Sequence, residues 1–239
     1  MMQIETQFSQ LRLSGMKNTW QALIETKRHI DLTLTEGLEI LLQAEQQERE
    51  QRRFERLQKN ARFRYQASIE ELQMDASRGM DKSLIANLAT GDYLDKGESI
   101  LVTGATGCGK SFLVSALGHQ ACMQGYKVSY FNVQKLMQKT RISRLEGTVF
   151  NFFDKMAKTD LIILDDFGLT HLEKQQQLDL MEMIEDRHAK KSTIIASQLP
   201  VASWFDIIGE ETIADAILDR LVHTSYRIEL KGESLRKKR

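Results

Sequence analysis

The sequence predicts an α/β fold, in which a parallel five-stranded sheet lies between helices and is preceded by a small helical N-terminal domain. Two observations predict this architecture. From about residue 68 onward, short apolar, β-prone runs alternate with helical segments, which is typical of a parallel sheet covered on both faces. Before residue 65 the hydrophobic residues recur at helical spacing, and no run has the pattern of a strand. The strand candidates lie near residues 99–103, 127–131, 160–165, 192–197 and 225–230.

The N-terminal domain is predicted to span residues 1–66. Hydrophobic residues spaced for one helix face predict an amphipathic helix over residues 15–30. Thr33 and Glu36 have the spacing of a capping box, in which each side chain accepts a hydrogen bond from the other residue's backbone N–H. A second helix is therefore expected to begin there. Its buried face is expected to carry Leu38, Leu41 and Leu42.

This second helix becomes strongly basic, with seven basic residues against two acidic ones between residues 49 and 64. Basic residues spread in this way can neutralise DNA phosphates and give DNA binding without sequence preference. The alternative is a solvated helix face held by ion pairs four residues apart, such as Glu45–Arg49 and Glu48–Arg52. Another basic group follows the second strand. The candidate DNA-binding residues of the two groups are Arg49, Arg52, Arg53, Arg56, Lys59, Arg62, Arg64, Lys139, Arg141 and Arg144.

Residues 67–239 are predicted to form the second domain, whose first strand leads into a phosphate-binding loop. Residues 104–111 fit the pattern G-x-x-x-x-G-K-[ST] without a substitution, and a helical segment follows them. The glycines let backbone N–H groups approach phosphates, Lys110 would reach the β- and γ-phosphates, and the Ser111 hydroxyl would bind Mg²⁺. The flanking strand and helix disfavour the alternative of a structural turn. The expected nucleotide-binding residues are Gly104, Ala105, Thr106, Gly107, Cys108, Gly109, Lys110 and Ser111.

A carboxylate near the metal is expected at the end of the third strand, where four apolar residues are followed by Asp165 and Asp166. Asp165 would lie beside Mg²⁺, together with Ser111. Asp166 would orient or deprotonate the attacking water, which favours hydrolysis over binding alone. Acids often end strands without a function, but these follow the phosphate loop with one more strand between them.

Two further candidates are less specific. The strand over residues 192–197 ends in Ser197 and Gln198, which could touch the γ-phosphate or the water, although a strand entering a turn explains them equally well. A later helix ends in Arg220, which on the residues alone is better explained as a surface charge paired with Asp219.

Composition narrows the class of protein. The chain has 33 acidic and 33 basic residues, so its net charge is zero. A zero net charge does not exclude a polyanionic partner, because such a partner can bind to a local group of basic residues. There is no apolar run of about 18 residues and no signal-peptide pattern, so we expect no membrane contact. The two cysteines, Cys108 and Cys122, favour reduced thiols over a disulfide framework, and hence a cytoplasmic location.

Taken together, these motifs resemble the IstB-type transposition helper ATPases of the AAA+ superfamily, which are close relatives of the DnaC helicase loaders. The resemblance runs along the whole chain, and its N-terminal and C-terminal parts are more diagnostic than the phosphate loop, which many superfamilies share. Besides that loop, the segments that carry it are residues 11–16, 44–49, 61–64, 164–168, 196–200, 214–221 and 228–234.

The resemblance implies roles for individual residues. Lys110 and Ser111 would bind ATP and Mg²⁺, and the two acids would be those of a Walker B strand. Most AAA+ proteins have Glu where this chain has Asp166, and the shorter side chain would slow hydrolysis. Many relatives in the wider superfamily have Asn at the sensor-1 position, for which the candidates in this chain are Ser197 and Gln198. Arg220 resembles the arginine finger that enters a neighbouring subunit's ATP site. Only one strand and a basic tail at residues 236–239 follow it, so the C-terminal lid of most AAA+ proteins is expected to be absent.

The implied function is that of an ATP-dependent, DNA-binding ATPase in DNA transposition. Subunits would assemble head to tail on duplex DNA with ATP at their interfaces, and would regulate or activate a transposase for target selection. DNA and oligomerisation would stimulate hydrolysis. The alternative is a replicative helicase loader, whose N-terminal helices would grip a helicase. A small-molecule kinase is a third possibility, and the adjacent Asp165 and Asp166 disfavour it.

Overall fold

The computed structural model describes residues 2–235, so the basic tail at residues 236–239 lies outside the described residues. Internal contacts divide the chain into two compact units, Met1–Arg56 and Leu57–Arg239. The domain boundary expected after residue 66 stays a prediction, because contact density alone does not define a folding domain.

The described residues form eleven α-helices and five strands, with short 3₁₀ turns at Arg28–Ile30, Ala76–Arg78 and Val201–Ser203. The helices are α1 (Met2–Gln10), α2 (Ser14–Glu25), α3 (Leu34–Ala61), α4 (Lys82–Thr90), α5 (Asp92–Lys96), α6 (Lys110–Met123), α7 (Val133–Leu145), α8 (Val149–Ala157), α9 (Lys174–Arg187), α10 (Trp204–Ile208) and α11 (Glu211–Val222). The strands are β1 (Ser99–Gly104), β2 (Val128–Asn132), β3 (Leu161–Phe167), β4 (Ser192–Ser197) and β5 (Ser225–Leu230).

In the first unit, a buried carboxylate fixes α2 against α3. The Glu45 side chain accepts hydrogen bonds from the backbone N–H groups of Gly15 (2.9 Å) and Met16 (3.3 Å) and from Nε of Arg49 (2.7 Å). A Cβ at Gly15 would lie 2.4 Å from the Ala44 carbonyl oxygen, so only glycine allows this close approach. The start of α2 is therefore held by charge-assisted hydrogen bonds rather than by apolar packing alone.

The predicted capping box at the start of α3 is confirmed, whereas the predicted buried face is partly wrong. Thr33 N–H donates to the Glu36 carboxylate at 2.8 Å, and Glu36 N–H donates to the Thr33 hydroxyl at 3.3 Å. Leu41 is 6% exposed, but Leu38 and Leu42 are 47% and 59% exposed. By their spacing all four residues lie on one side of the helix, but the buried strip runs through Leu41 and Glu45, and Leu38 and Leu42 lie at its flank.

We expect the Glu45 carboxylate to make the first unit sensitive to acid. Burial raises the pKa of Glu45, but hydrogen bonds from Arg49, Met16 and Gly15 outweigh it, so the pKa lies below 4.5. A carboxyl whose pKa is lower in the folded state adds stability that is fully present above pH 4.5. That stability is lost as the pH falls through the folded-state value. Glu45→Gln should therefore cost about 1–3 kcal/mol at pH 7 and progressively less below pH 4.5.

Urea unfolding followed by Trp20 emission, in a Trp204→Phe background shared by all variants, measures this effect. Glu39→Gln is the matched control, because Glu39 lies exposed on the same helix. It should change the free energy of unfolding by less than about 0.5 kcal/mol at every pH. Equal losses for the two glutamine variants would show that Glu45 has no special role.

The second unit contains one sheet with strand order β2-β3-β4-β1-β5, and every neighbouring pair is parallel. All five predicted strands are confirmed. Ile162 and Leu164 pack into the apolar core that includes α7 to α11. Ile163 points to the opposite face, where α6 lies so close that a Cβ at Gly118 would be 2.7 Å from the Ile163 side chain. Both faces of the sheet are therefore covered, as predicted.

The parallel sheet brings every strand's carboxyl end to one edge, and the residues after β5 return to it. Leu235 N–H donates to the Gly107 carbonyl at 2.9 Å, and Arg78 donates to the Glu233 carbonyl at 3.0 Å. Within the described residues no α-helix follows β5. Over the same residues, none of the helices combines the length and the apolar character that crossing a membrane requires.

Candidate nucleotide-binding site

The predicted phosphate loop joins the end of β1 to the start of α6. Gly107 and Gly109 have φ angles of 84° and 106°, which suit glycine. The Lys110 ammonium donates hydrogen bonds to the carbonyl oxygens of Gly104 (2.7 Å) and Ala105 (2.8 Å), and the residue is 7% exposed. The ammonium therefore lies across the loop, where phosphate oxygens would offer it acceptors of the same kind.

The two Walker B candidates lie at the end of β3 and are held by side chains of β2. Asp165 is 1% exposed and stands opposite Asn132 in the register of the two strands. The Tyr130 hydroxyl donates to Oδ2 of Asp165, and Asn132 Nδ2 donates to Oδ2 of Asp166 at 3.0 Å. Burial and the Asp165 carboxylate raise the pKa of Tyr130, so the hydroxyl stays protonated and donates. Both carboxylates are thus fixed in orientation.

The backbone at Asp166 is strained. Its φ angle is 59°, in the left-handed region that costs a residue other than glycine about 1–3 kcal/mol at most sites. The Asp166 N–H donates to Oδ1 of Asp165 at 2.9 Å, which helps to hold this conformation. The strain falls on the residue that the sequence assigns to the attacking water.

Arg64 lies at these acids, although the sequence analysis placed it among the candidate DNA-binding residues. Its Nη1 is 3.0 Å from Oδ2 of Asp166 and 3.4 Å from Oδ2 of Asp165, and 40% of its side chain is exposed. Burial lowers the pKa of Arg64, but the charges of Asp166, Tyr65 and Asp165 outweigh it and leave the pKa raised. The guanidinium is therefore a permanent cation beside the two carboxylates.

The two sensor-1 candidates at the end of β4 have different surroundings. The Ser197 hydroxyl is buried, donates to the Phe167 carbonyl at 2.8 Å and accepts from Leu199 N–H at 3.1 Å. The Gln198 side chain accepts a hydrogen bond from the Thr106 hydroxyl at 2.7 Å. Ser197 thus ties β4 to the end of β3, and Gln198 contacts the phosphate loop itself.

Arg220 lies away from the phosphate loop of its own chain. It forms a 2.5 Å ion pair with Glu185 and donates to the Ala216 carbonyl at 2.8 Å. Its partner is not Asp219, as the residues alone had suggested, because Asp219 pairs with His223. Arg220 shares a small cavity with Ser99, the first residue of β1, whereas the phosphate loop begins at the last residue of that strand.

Several candidate DNA-binding residues are engaged in internal ion pairs. The predicted pairs Glu45–Arg49 and Glu48–Arg52 are confirmed, at 2.7 and 2.8 Å. The Arg144 Nε donates to the Asp179 carboxylate at 3.0 Å. Their charges are therefore partly compensated within the chain.

Lys139 brings the two predicted basic groups together. Its ammonium lies 5.1 Å from the ring centroid of Phe152 and 5.8 Å from that of Phe131. Burial lowers the pKa of Lys139, and the like charges of Lys155 and Arg62 lower it further. Residues from both groups thus share one positive region.

Sequence reasoning missed Tyr130, Asn132 and the contact between Thr106 and Gln198. Polar residues at the carboxyl end of a parallel strand are a signal, since these ends meet at one edge. The neighbour of β3 in the sheet could not be identified from one sequence, so the contact between Asn132 and Asp166 could not be predicted.

The donor set fits ATP and Mg²⁺. Ser111 and Asp165 offer hard oxygen ligands, which Mg²⁺ prefers, and a bound Mg²⁺ also keeps substrate phosphates as ligands. Among residues 2–235, no group of three or more His, Cys, Asp or Glu could hold a metal without such help. The loop N–H groups at the start of α6 and the Lys110 ammonium suit polyphosphate.

Comparison with known proteins also points to nucleotide binding. The sequence profile described as IstB-like ATP binding protein matches residues 6–239. An insertion-sequence ATP-binding protein of Sinorhizobium fredii is 40% identical over 225 residues, which cover 94% of this chain and 92% of the relative. The ATP-binding protein of insertion sequence IS1162 from Pseudomonas fluorescens is 40% identical over 82% of this chain and 85% of its own length.

Among solved structures, the DnaC helicase loader has the same fold. It superposes with a TM-score of 0.59 at 18% identity and covers 70% of this chain and 98% of its own length. At this identity the likeness concerns the fold alone.

Proposed function

The chain belongs to the IstB-like ATP-binding protein family, and from that premise we propose that it is a Mg²⁺-dependent ATPase that assembles head to tail on duplex DNA. In this role it regulates or activates the transposase of its own insertion sequence for target selection. It works in the cytoplasm. The transposase is the proposed partner because the relatives named above are ATP-binding proteins of insertion sequences.

The proposed chemistry divides into binding and hydrolysis. Lys110 and the loop N–H groups hold the phosphates, while Ser111 and Asp165 hold Mg²⁺, which supplies positive charge to the phosphates when bound. Asp166, oriented by Asn132, accepts a proton from the attacking water or aligns it. The hydrogen bond between Thr106 and Gln198 links the phosphate loop to the end of β4. A change at the phosphates is therefore transmitted to β4 as well as to β1 and β3.

The observation that carries the proposed assembly is the separation of Arg220 from the phosphate loop. Arg220 lies near the start of β1, a strand of six residues. A strand of this length spans about 16 Å, far more than an arginine side chain can bridge. Arg220 therefore serves an ATP site only in a neighbouring copy, and repetition of that contact gives a head-to-tail assembly.

The proposed DNA contacts use both basic groups. Arg62, Lys139 and Lys155 supply a positive region in the second unit, and further bases lie along α3. Contacts to phosphates rather than to bases make this binding independent of sequence and sensitive to salt.

Lys110→Ala tests the ATP site. The ammonium makes two hydrogen bonds to acceptors that phosphate oxygens would replace. Losing two charge-assisted bonds, each about 1.5–3 kcal/mol, should weaken ATP binding at least about a hundredfold. Titration with a fluorescent ATP analogue measures the affinity. Arg227→Ala, which removes an exposed arginine of β5, should leave it unchanged. Equal affinity in the Lys110→Ala and parent proteins would refute the assignment.

A further inference from the structure

We propose that Arg64 is a placeholder cation, which holds the Asp165 and Asp166 carboxylates without nucleotide and is displaced when Mg·ATP binds. Its displacement frees residues 61–66, the Arg64 segment, from α6 and β2. This inference rests on the proposed function, because it requires Mg·ATP to bind beside the two acids. It adds that the ATP site, when occupied, controls the position of the Arg64 segment.

The Arg64 guanidinium balances the charges of the two carboxylates. Two neighbouring carboxylates repel each other unless a cation lies between them, and a single nitrogen of Arg64 contacts one oxygen of each. Among residues 2–235, Arg64 is the one Lys or Arg in an ion pair with these acids. The Asp165 oxygen that Arg64 contacts belongs to the carboxylate proposed to bind Mg²⁺. Mg²⁺ and the guanidinium therefore compete for the same group.

The residues on either side of Arg64 pack against the elements around the site. The Phe63 ring lies edge-on to Tyr130, with centroids 6.3 Å apart, and a Cβ at Gly118 would be 2.5 Å from Phe63. Tyr65 lies 6.2 Å, centroid to centroid, from Phe112, the residue after Ser111 in the chain. The Arg64 segment therefore rests on α6 and β2, the elements that carry the metal ligand Ser111 and the partners of the two acids.

The Arg64 segment connects the ATP site to residues proposed to contact DNA. The Arg64 segment follows the basic part of α3 directly, and Arg62 within it lies in the positive field of Lys139. Loss of the Arg64 contact would leave the apolar packing of Ala61, Phe63 and Tyr65 to hold the segment. Mg·ATP binding thereby changes the position of residues proposed to contact DNA. Nucleotide and DNA would be coupled through this one arginine.

Trypsin cleavage after Arg62 reports the position of the segment without measuring activity. In the parent protein, Mg·ATP should speed this cleavage several-fold, whereas ATP with a chelator should not. In Arg64→Ala the cleavage should be fast with or without Mg·ATP. Arg64→Lys, which keeps the charge, should lie between them, and Arg227→Ala should behave like the parent protein.

The Mg²⁺ concentration that half-saturates ATP binding is the second readout. Removing the competing cation should lower it about three- to tenfold in Arg64→Ala, the effect expected of one or two partly exposed ion pairs. If Arg64→Ala has an unchanged half-saturating Mg²⁺ concentration but a lower ATP turnover, Arg64 contacts the nucleotide instead. That result would overturn the inference. So would a parent protein that binds Mg·ATP with no change in cleavage. A parent protein that binds no Mg·ATP would overturn the proposed function itself.

Discussion

Replacement of Arg220 by alanine is expected to lower the ATP turnover of the assembled protein by roughly 10³–10⁵-fold, the effect of arginine fingers in other nucleotide hydrolases. The reason is positional. Arg220 lies near the amino end of β1 and pairs with Glu185, and in the proposed assembly it would contribute positive charge to the phosphates of the neighbouring subunit. ATP affinity should change little, because the contact is made mainly in the transition state.

The measurement is phosphate release at saturating ATP and duplex DNA, as a function of protein concentration. The parent protein should show a specific activity that rises with concentration, and Arg220→Ala should stay low throughout. The ion pair with Glu185 is partly exposed and contributes at most about 1 kcal/mol, so the variant should fold normally. Arg227→Ala is the matched control. If Arg220→Ala turns over ATP like the parent, the trans contact does not exist.

Asp166→Asn is expected to lower turnover about 10²–10⁴-fold while leaving ATP bound. The amide has the shape of the carboxylate and can still accept the Asn132 hydrogen bond, but it cannot take a proton from water. Assemblies on DNA should then last longer, because hydrolysis no longer dismantles them.

Sedimentation with ATP and duplex DNA, followed over time, measures that persistence. Asp166→Asn should remain in large complexes after the parent protein has dissociated. Lys110→Ala should form none, since the proposed assembly has ATP at its interfaces. Rapid dissociation of Asp166→Asn with ATP unhydrolysed would separate disassembly from hydrolysis and contradict the proposal.

Local patterns in the sequence were sufficient to predict the fold and the shape of the phosphate loop. The five strands are short apolar runs bounded by polar residues, and their identification needs no knowledge of distant contacts. The capping box at Thr33 and Glu36 and the ion pairs of Glu45 and Glu48 are likewise formed within one helical turn. Such features follow from residue spacing alone.

Features that depend on distant parts of the chain were not predictable. The Arg64 contact joins residues more than a hundred positions apart. From the sequence alone, the basic residues around Arg64 could therefore not be distinguished from those of a DNA-binding helix. The exposure of Leu38 and Leu42 depends on where α2 packs, which a hydrophobic stripe does not define. The partner of Arg220 lies on α9, and nothing in the sequence around Arg220 points to Glu185.

The most direct test of the account is to mix the two inactive variants, Arg220→Ala and Asp166→Asn, and to measure ATP turnover on DNA. The ATP site of an Arg220→Ala subunit is intact, and it can then receive the intact Arg220 of a neighbouring Asp166→Asn subunit. In a random equal mixture, roughly a quarter of the head-to-tail interfaces are complete. The mixture is expected to regain about that fraction of the parent activity. A mixture no more active than its components would show that the catalytic site is not shared between subunits.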